Sequence, residues 1–156
     1  IWPDVARLAQ SESPFITFEP IEAGKSVEVA GIRVTPFATD HVIPTLGFLL
    51  EDEDSAVVVA ADTAPLDELW KMLGGVPNLK AVFLEVSLPN SMQWLAEKSK
   101  HLTPSDFAGE VAKLQTDVEW YVTHMKVNFK QQITEEIQAL NLPRCTFAEA
   151  GIEYVH

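Results

Sequence analysis

The side chains of this sequence that are best suited to bind a metal or move a proton are its four histidines, His41, His101, His124 and His156. The first three stand where a predicted strand ends or a loop begins, which is where α/β proteins build their sites. Asp62 directly follows an apolar run that predicts a strand, and parallel strands would bring Asp62 and His124 to one sheet edge. One aspartate and two histidines suit a divalent ion such as zinc. The ordinary alternatives are a hydrogen-bonded loop histidine and an Asp-Thr pair that caps a helix.

His101 precedes residues 103–106, Thr-Pro-Ser-Asp, which predict the N-terminus of a helix with Thr103 as its N-cap. Backbone N–H groups at such an end attract anions, and two neighbouring lysines add positive charge. The pattern indicates either a phosphate-handling loop with His101 as general acid or an ordinary solvated capping loop. Glu85 ends another predicted strand, where it would either orient a ligand histidine or cap the loop.

The elements that position these residues follow two patterns. The first half predicts a meander of short strands at 15–18, 26–29, 33–37, 45–50 and 56–61. The last of these is apolar throughout, so we expect it to be covered on both faces. After Asp62 the pattern alternates, with helices predicted at 66–73, 91–98, 104–114 and 133–140 and strands at 80–86, 118–122 and 152–155. We therefore predict one α/β domain in which the meander leads into a β-α-β-α layer.

Composition excludes several classes of function. The 156 residues carry 23 acidic and 11 basic side chains, a net charge of −12, so we expect no binding to nucleic acid. The single Cys145 has no partner for a disulfide or a thiolate metal site. No apolar run reaches the ~18 residues of a membrane span, and no leader peptide is visible. We expect no membrane association, with the cytoplasm as the favoured location.

Six segments occur together over nearly the whole chain: 1–4 IWPD, 40–48 DHVIPTLGF, 61–63 ADT, 85–90 EVSLPN, 99–104 SKHLTP and 123–126 THMK. In this order they resemble the C-terminal half of the metallo-β-lactamase-fold hydrolases. Within that superfamily they are most similar to the class II cyclic-nucleotide phosphodiesterases. The fourth and fifth segments are the most specific, because generic members of the superfamily lack them.

This resemblance implies the second half of an αββα sandwich and two divalent metal ions, with zinc expected and manganese or iron as alternatives. His41 and His124 would be terminal ligands of different ions, and Asp62 would bridge the two. His101 would match the histidine near the scissile phosphate in the related tRNA 3′-processing nucleases, so Asp62 and His101 would be the catalytic residues. The resemblance implies hydrolysis of a 3′,5′-cyclic nucleotide, most readily cyclic AMP, with a homodimer as an open alternative to a monomer.

The sequence also departs from the family. The superfamily's His-x-His-x-Asp-His signature is absent, and the chain begins with Ile1 rather than methionine. We therefore expect residues 1–156 to be a single unit that forms the C-terminal half of a larger domain and is inactive alone. The alternatives are a tRNA 3′-processing nuclease, another hydrolase of this superfamily, and a non-catalytic half-fold that binds a partner chain.

Overall fold

The computed structural model describes residues 16–60 and 62–156. In this part of the chain seven strands form one sheet whose spatial order follows the sequence. The strands β1 to β7 are Val27–Val29, Ile32–Ala38, Leu46–Glu51, Ala56–Val59, Leu79–Glu85, Glu119–Thr123 and Cys145–Phe147. Strands β1 to β4 pair antiparallel as the predicted meander, and β4 to β7 run parallel. The sheet confirms the predicted change of pattern near Asp62.

Four α-helices connect or flank the parallel strands of the described chain: α1 Glu68–Leu73, α2 Gln93–Ser99, α3 Pro104–Val111 and α4 Lys130–Ala139. Helix α3 begins where the sequence predicts. The Thr103 side chain accepts a hydrogen bond from the Asp106 N–H, and the Asp106 carboxylate accepts one from the Thr103 N–H. Every described helix is too short to span a bilayer. Helices α1, α3 and α4 share one core with the sheet, which includes Val58, Val82, Val122, Leu73, Phe107 and Ile133.

The opposite face of the sheet carries aromatic side chains, and the described residues cover it only in part. The rings of Phe83 and Tyr121 stack with their centroids 4.5 Å apart, and Tyr154 packs against both. The prediction that 56–61 is covered on both faces is wrong for the residues described, since Val58 is buried but Val59 is 39% exposed. Val58 belongs to the core that it shares with α1, α3 and α4, whereas Val59 lies outside that core.

Two predicted strands are also wrong. Residues 16–18 form no strand, and Phe15 lies outside the described residues. Residues 152–155 form none either, because the edge of β6 is already paired with β7. Gly151, with φ of +83°, then turns the chain, and the hydroxyl of Tyr154 accepts a hydrogen bond from the Glu149 N–H.

Candidate metal centre

The predicted site residues meet at one edge of the sheet. Strands β4, β5 and β6 are parallel, so the residues after their C-terminal ends emerge side by side. Asp62 follows β4, Glu85 ends β5, and His124 comes directly after β6. Strand β2 runs in the same direction as β4 because two antiparallel pairings separate them, which brings His41 to this edge as well. The edge is the place where open α/β sheets bind ligands.

Asp62 lies between two histidines. One carboxylate oxygen, Oδ1, is 2.9 Å from His124 Nδ1, and the other, Oδ2, is 3.9 Å from His41 Nε2. Two ligands bound to one zinc ion at about 2.1 Å in tetrahedral geometry would lie about 3.4 Å apart. The Asp62–His41 separation is therefore close to that of a shared metal ion, and nitrogen and carboxylate donors are those zinc accepts.

His41 is held with its Nε2 towards Asp62. Its Nδ1 donates to the backbone carbonyl of Lys100 over 3.1 Å, and a carbonyl can only accept, so Nδ1 carries the proton. Nε2 is then left with a free electron pair, as in histidines that bind metals. Lys100 adopts a left-handed φ of +54° at the end of α2, and its side chain pairs with Asp40. The Ala64 N–H donates to the Asp40 carbonyl, which ties the two loops of the site together.

Glu85 is 1% exposed and acts as an acceptor for several donors. Its Oε1 is 2.6 Å from His101 Nδ1 and 2.9 Å from the Thr63 N–H, and its Oε2 is 2.5 Å from the Ser87 hydroxyl. A carboxylate only accepts, so His101 carries a proton on Nδ1 and directs Nε2 elsewhere. Glu85 therefore orients His101, and its predicted role of orienting a ligand histidine stays a prediction.

The tightest cluster of possible ligand atoms differs from the predicted ligand set. One such atom from each of Asp62, Glu85, His101 and His124 lies within 4.8 Å of the others, whereas His41 is outside this group. The rings of His41 and His124 still flank His101, with centroids at 4.9 Å and 5.5 Å from it. All four predicted residues are thus brought together, and their roles as ligands or catalysts stay predictions. The fourth histidine, His156, packs against Tyr121 instead.

An open cavity of about 300 Å³ leads to this edge, with walls from Val59, Ala60, Asp62, Phe83, Glu85, Thr123 and His124. Because Phe83 is one of its walls, the cavity adjoins the aromatic face of the sheet. Ser87 also belongs to the site although the sequence did not predict it, since its hydroxyl is 3.0 Å from His124 Nδ1. Its place two residues after Glu85, in the segment EVS, was the only sign of it.

Solved structures with the same architecture identify the fold. YhfI from Bacillus subtilis, a metallo-β-lactamase-fold protein, superposes with a TM-score of 0.70 at 16% identity over 96% of this chain and 60% of its own. The chain has a metallo-β-lactamase fold. Zn²⁺-bound PqqB from Methylobacterium extorquens gives 0.71 at 15% identity over 95% of this chain and 60% of its own. The short form of human tRNase Z gives 0.56 at 18% identity over 79% and 42%. The predicted fold class is confirmed.

Curated sequence relatives match only part of the chain. Ribonuclease Z of Metallosphaera sedula is 54% identical over 37 residues, which is 24% of this chain and 13% of the relative. A putative ribonuclease Z of Mycobacterium tuberculosis is 35% identical over 68 residues, which is 42% of this chain and 30% of the relative. No family model matches the sequence. The matches thus span less than a third of the curated relatives.

Proposed function

We propose that the native protein that contains these residues is a binuclear, metal-dependent phosphodiester hydrolase of the ribonuclease Z type. The observation that carries the proposal is Asp62, whose two carboxylate oxygens face two different histidines, His124 and His41. A carboxylate that contacts two histidines can be shared between two ions, with each histidine a ligand of one ion. The relatives named ribonuclease Z support cleavage of a phosphodiester rather than another hydrolysis.

His41, Asp62 and His124 would hold the ions, and two bound divalent ions would activate water and neutralise charge on the phosphoryl oxygens. Glu85 keeps His101 Nδ1 engaged at 2.6 Å, so His101 exchanges protons through Nε2. This nitrogen would give its proton to the leaving oxygen as general acid. Zinc is the first metal to test because PqqB is described as Zn²⁺-bound, and iron follows because CmlA is described as a diiron β-hydroxylase.

For the substrate we propose an RNA phosphodiester, as in 3′ processing of tRNA, in place of the cyclic nucleotide that the sequence resemblance implies. The support is the ribonuclease Z relatives together with the similarity to human tRNase Z. A cyclic nucleotide is the second candidate. It is favoured by the net charge of −12 and by a cavity of about 300 Å³ at the site, the size of a small-molecule pocket.

We further propose that residues 1–156 act as one half of a larger sandwich. The support is the partly covered aromatic face beside the site and the 60% coverage of both YhfI and PqqB. Two alternatives remain predictions: a half-fold that binds a separate partner chain, and a homodimer. Either of them would cover the same aromatic face.

The native protein tests these proposals in three assays: metal content by mass spectrometry, cleavage of a 3′-extended tRNA precursor, and hydrolysis of cyclic AMP. We expect Asp62→Ala to lose metal and activity together. We expect His101→Ala to keep its metal and to lose about 100-fold in turnover, within the range for general acid catalysis. Asp117→Ala is the matched control, because Asp117 pairs with Arg144 at the surface.

Cleavage of the tRNA precursor alone would support the proposed substrate, and hydrolysis of cyclic AMP alone would support the second candidate. If the metal-loaded protein cleaves neither, the proposed function is wrong. If His101→Ala strips the metal, His101 is a ligand rather than the general acid.

A further inference from the structure

Ser87 has an unusual position for a residue outside the predicted site. Ser87 lies two residues after Glu85, the last residue of β5, and it is fully buried. Its backbone N–H donates to the Leu102 carbonyl over 3.1 Å. Its hydroxyl oxygen is 2.5 Å from Glu85 Oε2, 3.0 Å from His124 Nδ1 and 3.3 Å from His101 Nδ1. A single hydroxyl thus connects the Glu85–His101 pair with His124.

The direction of these hydrogen bonds follows from proton counting. A hydroxyl has one proton, and the short contact to the Glu85 carboxylate, which only accepts, takes that proton. Towards His124 the Ser87 oxygen can therefore only accept. His124 Nδ1 must carry a hydrogen, and Nε2 then keeps the free electron pair of the neutral ring.

His124 Nδ1–H faces a second acceptor, Asp62 Oδ1, at 2.9 Å. The two acceptors compete for one N–H, and Asp62 is also the residue that would bridge the metal ions. If Asp62 were the sole acceptor, a metal ion binding to its carboxylate would take away the bond that orients His124. Ser87 removes this conflict, because its oxygen lies 3.0 Å from His124 Nδ1 and can accept in place of Asp62.

We infer that Ser87 is a positioning residue for metal binding. It holds His124 in the Nδ1–H tautomer and so presents Nε2 as a ligand while it frees Asp62 to bind the ions. This inference rests on the proposed metal centre. Residues that orient a ligand histidine typically change metal affinity 10- to 100-fold when they are replaced.

The test compares the metal affinity of the native protein with that of Ser87→Ala, measured by competition for Zn²⁺ with a chromogenic chelator. We expect Ser87→Ala to bind about 10- to 100-fold more weakly and Ser87→Thr, which retains the hydroxyl, to recover most of the loss. Ser99→Ala is the matched control, because Ser99 donates to the Leu95 carbonyl within α2 and should bind as the native protein does.

A second measurement reads the tautomer directly. ¹⁵N NMR of the zinc-loaded native protein should show the proton of His124 on Nδ1. The inference is overturned if that proton is on Nε2, or if a folded Ser87→Ala protein binds zinc as tightly as the native one. Should Ser87→Ala fail to fold, Ser87→Cys takes its place in the zinc competition, because a thiol is only a weak acceptor, and an unchanged affinity there likewise overturns the inference. A native protein that binds no zinc at all would instead refute the metal centre of the proposed function.

Discussion

Replacing Glu85 by glutamine tests whether the buried carboxylate has a role beyond stability. Glutamine has nearly the same shape, but one acceptor oxygen becomes an NH₂ group. At the Oε1 position this group would face two donors, the Thr63 N–H and His101 Nδ1–H. At the Oε2 position it meets chiefly the Ser87 hydroxyl, which can rotate to accept. We therefore expect the amide to settle with its oxygen towards Thr63 and His101.

The expected loss of stability in Glu85→Gln follows from the number of hydrogen bonds that the Glu85 carboxylate accepts. Hydrogen bonds to a charged group contribute about 1.5–3 kcal/mol and those between neutral groups about 0.5–1.5 kcal/mol. Three bonds to Glu85 would each weaken by about 1 kcal/mol, and the lower cost of burying a neutral amide offsets part of this. We expect the free energy of unfolding to fall by about 2 kcal/mol, or Tm by about 4–8 °C. Turnover should fall about 100-fold, because His101 loses the anion that fixes its ring.

A second buried carboxylate supplies the matched control. Glu110 in α3 is 2% exposed and accepts from Trp70 Nε1 at 2.5 Å and from the Leu66 N–H at 2.9 Å. Glu110→Gln should lose similar stability but leave the turnover of the folded, metal-loaded protein unchanged. Tm is measured by circular dichroism and turnover with bis(p-nitrophenyl) phosphate. If Glu85→Gln retains full turnover, or both variants lose it equally, the assigned role of Glu85 is refuted.

Three further predictions concern the scaffold. Gly47→Ala should lower the free energy of unfolding, measured by urea titration, by about 1–3 kcal/mol. Gly47 pairs with Phe37 across β2 and β3, and a Cβ at Gly47 would overlap the Phe37 ring. An unchanged midpoint of urea unfolding would contradict this packing. Thr103→Ala removes the N-cap side chain of α3, so it should lower the free energy of unfolding by about 1 kcal/mol in the same urea titration. Burial raises the pKa of Cys145 from 9.0 to about 11. The folded state therefore binds more protons between these values, so stability should fall as pH rises from about 9 to about 11, and Cys145→Ser should abolish that fall.

Local sequence patterns predicted most of the scaffold because they act over a few residues. The apolar runs located β4, β5 and β6, and Thr103 with Asp106 located the start of α3 within one residue. Strand β7 was missed because it is only three residues long and has a polar centre, Thr146. The apolar alternation at 152–155 looked more like a strand, yet the pairing edge it needed was taken by β7.

The arrangement of the site was predictable only in outline. Parallel strands were enough to place Asp62 and His124 at one edge. The bond that orients His41 could not be foreseen, because its acceptor is the backbone carbonyl of Lys100, 59 residues away, and any residue type offers a carbonyl. Ser87 was missed for a similar reason. A serine hydroxyl is common on surfaces, and only the fold shows that this one lies among three ionisable side chains, Glu85, His101 and His124.

The negative charge of the chain affects how either candidate substrate, RNA or a cyclic nucleotide, can bind. At the site edge Asp62 is a partly exposed carboxylate, and Lys100 is paired with Asp40. The charge of Asp62 would repel a phosphodiester anion, so we expect bound divalent cations to strengthen substrate binding. One cyclic nucleotide carries a single phosphate, whereas an RNA strand presents many and needs several basic residues to hold them.

The salt dependence of KM separates these cases. For a single-stranded RNA the logarithm of the affinity falls with the logarithm of salt concentration by about 0.7 per phosphate contacted. With only 11 basic residues against 23 acidic ones, this chain alone should make few such contacts. A shallow salt dependence of tRNA cleavage would mean that the ions at Asp62 hold the RNA nearly unaided. A steep one would require basic surface outside these 156 residues, in the other half of the sandwich or in a partner chain.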